Sequence, residues 1–73
     1  MFTKLKEKRY AKKYTNKIMA EKLGISKPFY SQIENRKRRL SYEMAIKISN
    51  IFGLKPDDIF YNDMKKMINK NNT

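Results

Sequence analysis

The sequence predicts an all-α fold, a compact domain of five helices. Apolar residues recur at spacings of three and four, and serine, threonine or proline stands where several of these helical stretches would begin. No stretch alternates between apolar and polar residues as a half-buried strand does. A chain of 73 residues makes one small domain with a marginal core. We expect this domain over residues 1–68, followed by a polar tail over residues 69–73.

The first helix is predicted to run from Thr3 to Lys13, with Thr3 as its N-cap. Leu5 and Arg9 stand four residues apart and would share one face of it. Most of its lysines would form a solvated face.

Residues 16–35 are predicted to form two short helices joined by a tight turn. Gly24 takes positive φ at no steric cost, as the turn requires, and Ala20 is small enough to lie where two helices cross closely. Ser26 suits the N-cap of the second helix and Pro28 suits its first turn. The shared core would contain Met19, Leu23, Ile25, Tyr30 and Ile33. This is the helix-turn-helix pattern, whose second helix enters the DNA major groove.

The fourth helix is predicted between Ser41, its N-cap, and Gly53. Pro56 opens the fifth, and the two aspartates after it suit a helix N-terminus. An apolar stripe runs along the fifth helix. It consists of Phe60, Met64, Met67 and Ile68.

The composition points to an anionic partner and argues against an enzyme. A net charge of +11, from 18 basic and 7 acidic residues, favours nucleic acid or an anionic membrane as the partner. Cysteine and histidine are absent, which excludes disulfides, Cys-ligated zinc and the commonest general base. We find no nucleophile–base pair and no glycine-rich phosphate loop, and we predict no catalytic residue, metal site or cofactor. Without a membrane-spanning run or a signal peptide's apolar region, the protein is expected to be soluble and cytoplasmic.

The stretch from Leu5 to Phe60 resembles the XRE family of helix-turn-helix transcriptional regulators, which includes phage lambda repressor and Cro. The resemblance implies a lambda repressor-like DNA-binding domain. It is carried by Ala20, Leu23-Gly24-Ile25-Ser26, Ser31 and Ile33-Glu34-Asn35, with Arg9, Ala45-Ile46-Lys47-Ile48 and Phe52-Gly53-Leu54 in the family's order around them.

The family usually has glycine where Lys13 and Arg36 stand, and this chain departs from its pattern there. Lys13 must tolerate an irregular turn, or the first helix must end differently. After the third helix, either Asn35 or Arg36 must adopt the left-handed conformation. Asparagine tolerates it better than arginine does, which favours Asn35.

The resemblance also implies an ion pair between Arg9 and Glu34. Glu34 stands near the end of the third helix, where a carboxylate is unfavourable without a partner. The two residues would join the first helix to the third.

The third helix would read DNA bases and its surroundings would hold the phosphates. By resemblance, the base contacts are Lys27, Pro28, Ser31 and Gln32. Gln32 can donate and accept at once, which suits adenine. The expected backbone contacts are Thr15, Asn16, Lys17, Ser26, Asn35, Lys37, Arg38 and Arg39.

These inferences favour a sequence-specific regulator of double-stranded DNA, most simply a repressor that binds a palindromic operator as a homodimer. The dimer interface would be the stripe of Phe60, Met64, Met67 and Ile68. The competing view, that the stripe folds back on its own core, has equal weight for Phe60. An antitoxin or accessory factor that binds another protein through this stripe is a second reading. A membrane-surface binder is a third, but the basic residues are spread over several elements rather than one amphipathic face.

Overall fold

Five helices follow one another along the chain, and the all-α prediction is confirmed. The computed structural model describes the backbone of residues 1–71 and the side chains of residues 1–65, and the described backbone contains no strand. The helices are α1 (Thr3–Ala11), α2 (Asn16–Leu23), α3 (Lys27–Glu34), α4 (Tyr42–Ile51) and α5 (Pro56–Asn71). The last helix therefore includes residues 69–71 of the predicted polar tail.

Hydroxyl side chains cap three of the helices. Thr15 Oγ1 accepts a hydrogen bond from the backbone N–H of Ile18 at 3.1 Å. Ser26 caps α3 and Ser41 caps α4 in the same way. Each cap satisfies one of the N–H groups that a helix N-terminus leaves unpaired. Gly24, with φ of +70°, ends α2 and turns the chain into α3, as predicted.

The start of α1 differs from the prediction, because the N-cap is Phe2 and Thr3 is the first helical residue. The ring of Phe2 is buried edge-on against Phe60, with 5.0 Å between the ring centroids. The Phe2 N–H donates to the carbonyl oxygen of Glu34 at 2.8 Å. Phe2 is thus held from both sides, and the first bond of the helix runs from Lys6 N–H to its carbonyl oxygen.

The core lies between α1, α5, α4 and the helix-turn-helix pair. Met19, Tyr30 and Ile33 are fully buried in it, whereas Leu23 and Ile25 are half-buried and pack against its edge. Among the side chains that the structure describes, the buried apolar residues are Phe2, Leu5, Met19, Ala20, Tyr30, Ile33, Ala45, Ile48, Ile59 and Phe60. Because α1 and α5 pack against each other, the N-terminal Phe2 and the late Phe60 meet in one cluster.

The apolar stripe of α5 is divided between the core and the surface. Phe60 is only 3% exposed, so the structure places it in the chain's own core and corrects its assignment to a dimer interface. Met64 is half-buried and packs against the same core. The side chains of Met67 and Ile68 lie outside the described residues.

Among the residues that the structure describes, two other than glycine adopt the left-handed conformation, Lys13 and Arg36, each with φ of +60°. Of the two alternatives after the third helix, the structure has Arg36 and not the intrinsically favoured Asn35. Asn35 stays close to helical geometry, with φ of −86°, because its N–H donates to the Ser31 carbonyl oxygen and its side-chain amide donates to the Ser31 hydroxyl. The left-handed residue that reverses the chain direction is therefore Arg36.

Replacing Lys13 with glycine is expected to raise the free energy of unfolding by about 0.5–1 kcal/mol. The left-handed conformation costs an L-residue ~1–2 kcal/mol, and the extra freedom of glycine in the unfolded chain offsets part of that gain. Lys12→Gly is the matched control. Lys12 has φ of −88°, so glycine there brings the entropy cost without relief of strain. Urea unfolding of both variants checks this, and a Lys13→Gly protein no more stable than Lys12→Gly would contradict it.

Candidate nucleic-acid interface

α3 has one face in the core and one towards solvent. Tyr30, Ile33 and Glu34 are buried. On the other side, Lys27 and Pro28 are exposed and the predicted base contacts Ser31 and Gln32 are half-buried. The four predicted base contacts therefore share the outer face of a helix whose inner face is anchored.

A buried ion pair anchors this helix. Arg9 Nε donates to Glu34 Oε1 at 2.8 Å and Arg9 Nη2 donates to Glu34 Oε2 at 3.0 Å, so the contact is bidentate. The two side chains are 8% and 5% exposed. Tyr30 Oη donates to Glu34 Oε1 at 3.0 Å, and Arg9 Nη1 donates to the Tyr14 carbonyl oxygen at 2.9 Å. One guanidinium thus connects α1, α3 and the segment that leads into α2.

Two members of this network have raised pKa values. The hydrogen bond to Glu34 raises the pKa of Arg9, so the guanidinium stays charged. Burial raises the pKa of Tyr30, and the nearby Glu34 carboxylate raises it further, so the phenol remains a neutral donor. The orientation of α3 therefore rests on a charged pair whose remaining acceptor capacity is partly met by Tyr30.

A basic pocket of about 430 Å³ lies at the N-terminus of α2. Its lining residues are Arg9, Tyr10, Lys13, Tyr14, Thr15, Asn16, Lys17 and Lys27. All four charged side chains in this lining are basic. The unpaired N–H groups of a helix N-terminus and its partial positive charge add to them. This pocket has the chemistry of a phosphate site.

The pocket brings together residues that sequence reasoning treated separately. Thr15, Asn16 and Lys17 were predicted to contact the DNA backbone, and Lys27 was predicted to contact a base. Three further lining residues, Tyr10, Lys13 and Tyr14, were not among the contacts predicted from the sequence. The signal that could have found Lys13 is its position: a lysine stands where the family usually has glycine, one residue before the segment that caps α2.

The segment after α3 folds back onto that helix. Beyond the left-handed Arg36, the N–H groups of Lys37 and Arg38 both donate to the Gln32 carbonyl oxygen, at 2.8 and 3.2 Å. Arg38 Nε also donates to Gln32 Oε1 at 3.1 Å. The Arg38 guanidinium lies over the ring of Phe29, with 4.4 Å from Cζ to the ring centroid. A predicted phosphate contact and a predicted base contact are therefore in direct contact with each other.

The remaining predicted backbone contacts lie around the same face. Ser26 is exposed, and its hydroxyl accepts from the Phe29 N–H as the cap of α3. Asn35 is exposed and its amide donates to Ser31 Oγ at 3.3 Å. Lys37 and Arg39 are exposed as well. Ser26 and Ser31 keep their hydroxyl hydrogens for a further acceptor.

The described residues contain neither a cluster of metal ligands nor a helix that could span a membrane. No group of three or more histidine, cysteine, aspartate or glutamate residues within that part of the chain is arranged to hold a metal ion. None of its helices is long and apolar enough to cross a membrane.

Comparisons with known proteins agree with this geometry. A family model described as "Helix-turn-helix" matches residues 5–59. The chain is 36% identical to the uncharacterized HTH-type transcriptional regulator YqaE of Bacillus subtilis over 74 aligned positions, which cover 89% of this chain and 64% of that relative. It is 41% identical over 60 positions to an uncharacterized HTH-type transcriptional regulator of Methanocaldococcus jannaschii, with 82% of this chain and 91% of that relative covered. The chain thus spans less than two thirds of the Bacillus relative. No solved structure gives a significant match.

Proposed function

The chain belongs to the XRE-type helix-turn-helix family of transcriptional regulators, which act by binding DNA and not by catalysis, and from that premise we propose that it is a repressor that binds a palindromic operator as a homodimer. The observation that carries the proposal is the outer face of α3. The opposite face of this helix is fixed by the Arg9–Glu34 ion pair, and basic groups flank the outer face on both sides. Because the partner is DNA, we also propose a cytoplasmic location.

The proposed base contacts are Lys27, Pro28, Ser31 and Gln32 on α3. An α-helix fits the major groove, and its exposed first turn and outer face meet the base edges there. Lys27 would donate to acceptors on a base and Pro28 would pack against a thymine methyl group. Ser31 would reach a base or a neighbouring phosphate.

The proposed phosphate contacts lie on both sides of these residues. The pocket at the start of α2 would hold DNA phosphates through Thr15, Asn16 and Lys17, with Lys13 beside them. The other contacts would come from Ser26 at the start of α3 and, beyond its end, from Asn35, Lys37, Arg38 and Arg39. The charge distribution supports this arrangement: between residues 12 and 41 there are nine basic residues and two acidic ones, and one of the acidic residues, Glu34, is buried in the ion pair.

The proposed dimer interface is a largely apolar groove between α4 and α5, with a volume of about 370 Å³. Met64 lines it, and so do the exposed tyrosines Tyr42 and Tyr61, at 77% and 54% exposure. A second copy seated here would cover large apolar side chains that the monomer leaves in water. This interface keeps Met64 from the predicted stripe and leaves Phe60 in the core.

Selection of double-stranded DNA from a random library tests the proposal directly. We expect enrichment of an inverted repeat whose half-sites lie about one helical turn apart, ~34–36 Å. Enrichment of a single, non-repeated site would overturn the homodimer. Failure to enrich any sequence, together with capture of a partner protein, would favour the accessory-factor reading over the repressor.

Tyr42→Glu is expected to weaken self-association about tenfold or more, as the loss of a well-packed interface tyrosine does. Tyr42 is exposed, so the monomer should fold normally. Tyr10→Glu is the matched control, since Tyr10 is also exposed, at 59%, but lies by the basic pocket. Sedimentation velocity over a range of concentrations measures both. Equal association of the two variants would remove the groove from the interface.

A further inference from the structure

Arg38 is held in place by three contacts, although it is an exposed residue of a connecting segment. Its backbone N–H and its Nε both donate to Gln32, at the main-chain and the side-chain oxygen respectively. Its guanidinium stacks on Phe29. An arginine that served only as a diffuse phosphate charge would need none of this positioning. We call Phe29, Gln32 and Arg38 the Arg38 cluster.

The Arg38 cluster determines which way the Gln32 amide points. An arginine side chain has only donors, so the atom that faces Arg38 Nε must be the amide oxygen, Oε1. The NH₂ group of Gln32 is therefore on the opposite side of the amide. Its two N–H groups and the terminal N–H groups of Arg38 are the polar groups that the cluster offers to a ligand.

We propose that Arg38 is a specificity-determining residue that commits Gln32 to guanine instead of adenine. This inference rests on the proposed function, in which α3 lies in the major groove. Glutamine pairs with adenine by donating to N7 and accepting from N6, which requires the amide oxygen to face the base beside the NH₂ group. In this cluster that oxygen is engaged by a cation. Guanine presents two acceptors, N7 and O6, and so matches a site that offers donors.

Phe29 has a supporting part in this arrangement. It is half-buried and packs against the core, so it gives the guanidinium a fixed surface to stack on. The chain reversal at Arg36 brings Arg38 back over that surface. The sequence feature that looked like a simple run of positive charge, residues 36–39, therefore contains one residue positioned to act on a base-reading side chain.

The test compares the base preferences of Arg38→Met and Arg39→Met by selection from the same random double-stranded DNA library. Each variant loses one positive charge, and the two positions are neighbours, so any general weakening of DNA binding should be the same in both. Wild type and Arg39→Met should prefer guanine at one position of each half-site. Arg38→Met removes the hydrogen bond to the Gln32 amide oxygen. The enrichment of adenine over guanine at that position should then rise by roughly 5- to 150-fold. Thermal melts of both variants establish that they are folded.

The same comparison in a Gln32→Ala background shows whether Arg38 acts through Gln32. If it does, Arg38→Met should no longer change the preference at that position. The inference is overturned if Arg38→Met and wild type select the same base, or if Arg38→Met has its full effect without Gln32. Either outcome can be told apart from failure of the proposed function itself, because in that case the wild-type protein would select no DNA sequence at all.

Discussion

Replacing Arg9 with methionine is expected to lower the free energy of unfolding by about 3–5 kcal/mol, the cost of stranding one partner of a buried ion pair. Glu34 would keep its hydrogen bond from Tyr30 but lose both bonds from the guanidinium. Its carboxylate would then be buried without a countercharge. For a domain of this size such a loss is a large part of the whole stability.

The control for this prediction is Lys47→Met. Lys47 and Glu43 form an ion pair on α4 at 3.4 Å, but their side chains are 53% and 81% exposed. An exposed pair contributes only ~0–1 kcal/mol, so this variant should unfold much like the wild type. The double variant Arg9→Met/Glu34→Met should recover part of the loss, because it removes both buried charges. Equal urea midpoints for Arg9→Met and Lys47→Met would contradict the prediction.

The helices could be predicted from the sequence because the signals that specify them are local. Ser26 and Ser41 bond to N–H groups three residues ahead, and Gly24 ends α2 through its own φ. The start of α1 could not be found in this way. Phe2 is positioned by Phe60 and by the Glu34 carbonyl, both remote in sequence, and these contacts override the preference of Thr3 for a cap.

The division of the apolar stripe of α5 depends on tertiary packing. Phe60 and Met64 are both apolar and stand four residues apart, so the sequence pattern does not distinguish a core position from a surface position. Only the packing of α5 against α1 buries Phe60 against Phe2 and leaves Met64 at the edge of a groove. A periodic pattern predicts which side of a helix is apolar, but not how far along that side the chain's own core extends.

The candidate site was predictable as a set of residues but not as an arrangement. The position of Gln32 on the outer face of α3 follows from helical spacing. Its bond to Arg38 depends on the reversal at Arg36, where intrinsic preference had pointed to Asn35. The basic pocket is a similar case, since Lys13, Lys17 and Lys27 come from three different parts of the chain.

Removing the three lysines of that pocket is expected to have the largest effect on DNA binding. The variant Lys13→Ala/Lys17→Ala/Lys27→Ala takes three positive charges from a pocket whose charged lining is entirely basic. Each phosphate neutralised contributes about 0.9 to the slope of log K against log salt, so the loss of the phosphate contacts of Lys13 and Lys17 should make the slope shallower by about 1.8 for each bound chain. Affinity should fall on operator and scrambled DNA alike through those phosphates, and further on the operator through the base contact proposed for Lys27.

The matched control is Lys4→Ala/Lys47→Ala/Lys55→Ala, which removes three lysines that line neither the basic pocket nor the proposed dimer groove. Three charges fewer than +11 leave +8 in both variants, so the long-range attraction of the whole protein is weakened equally. A salt titration of DNA binding then separates local contact from net charge. If the two variants show the same slope, the pocket at the start of α2 holds no phosphate. A shallower slope for the pocket variant alone would identify the charges that α2, α3 and the end of α1 place against the DNA backbone.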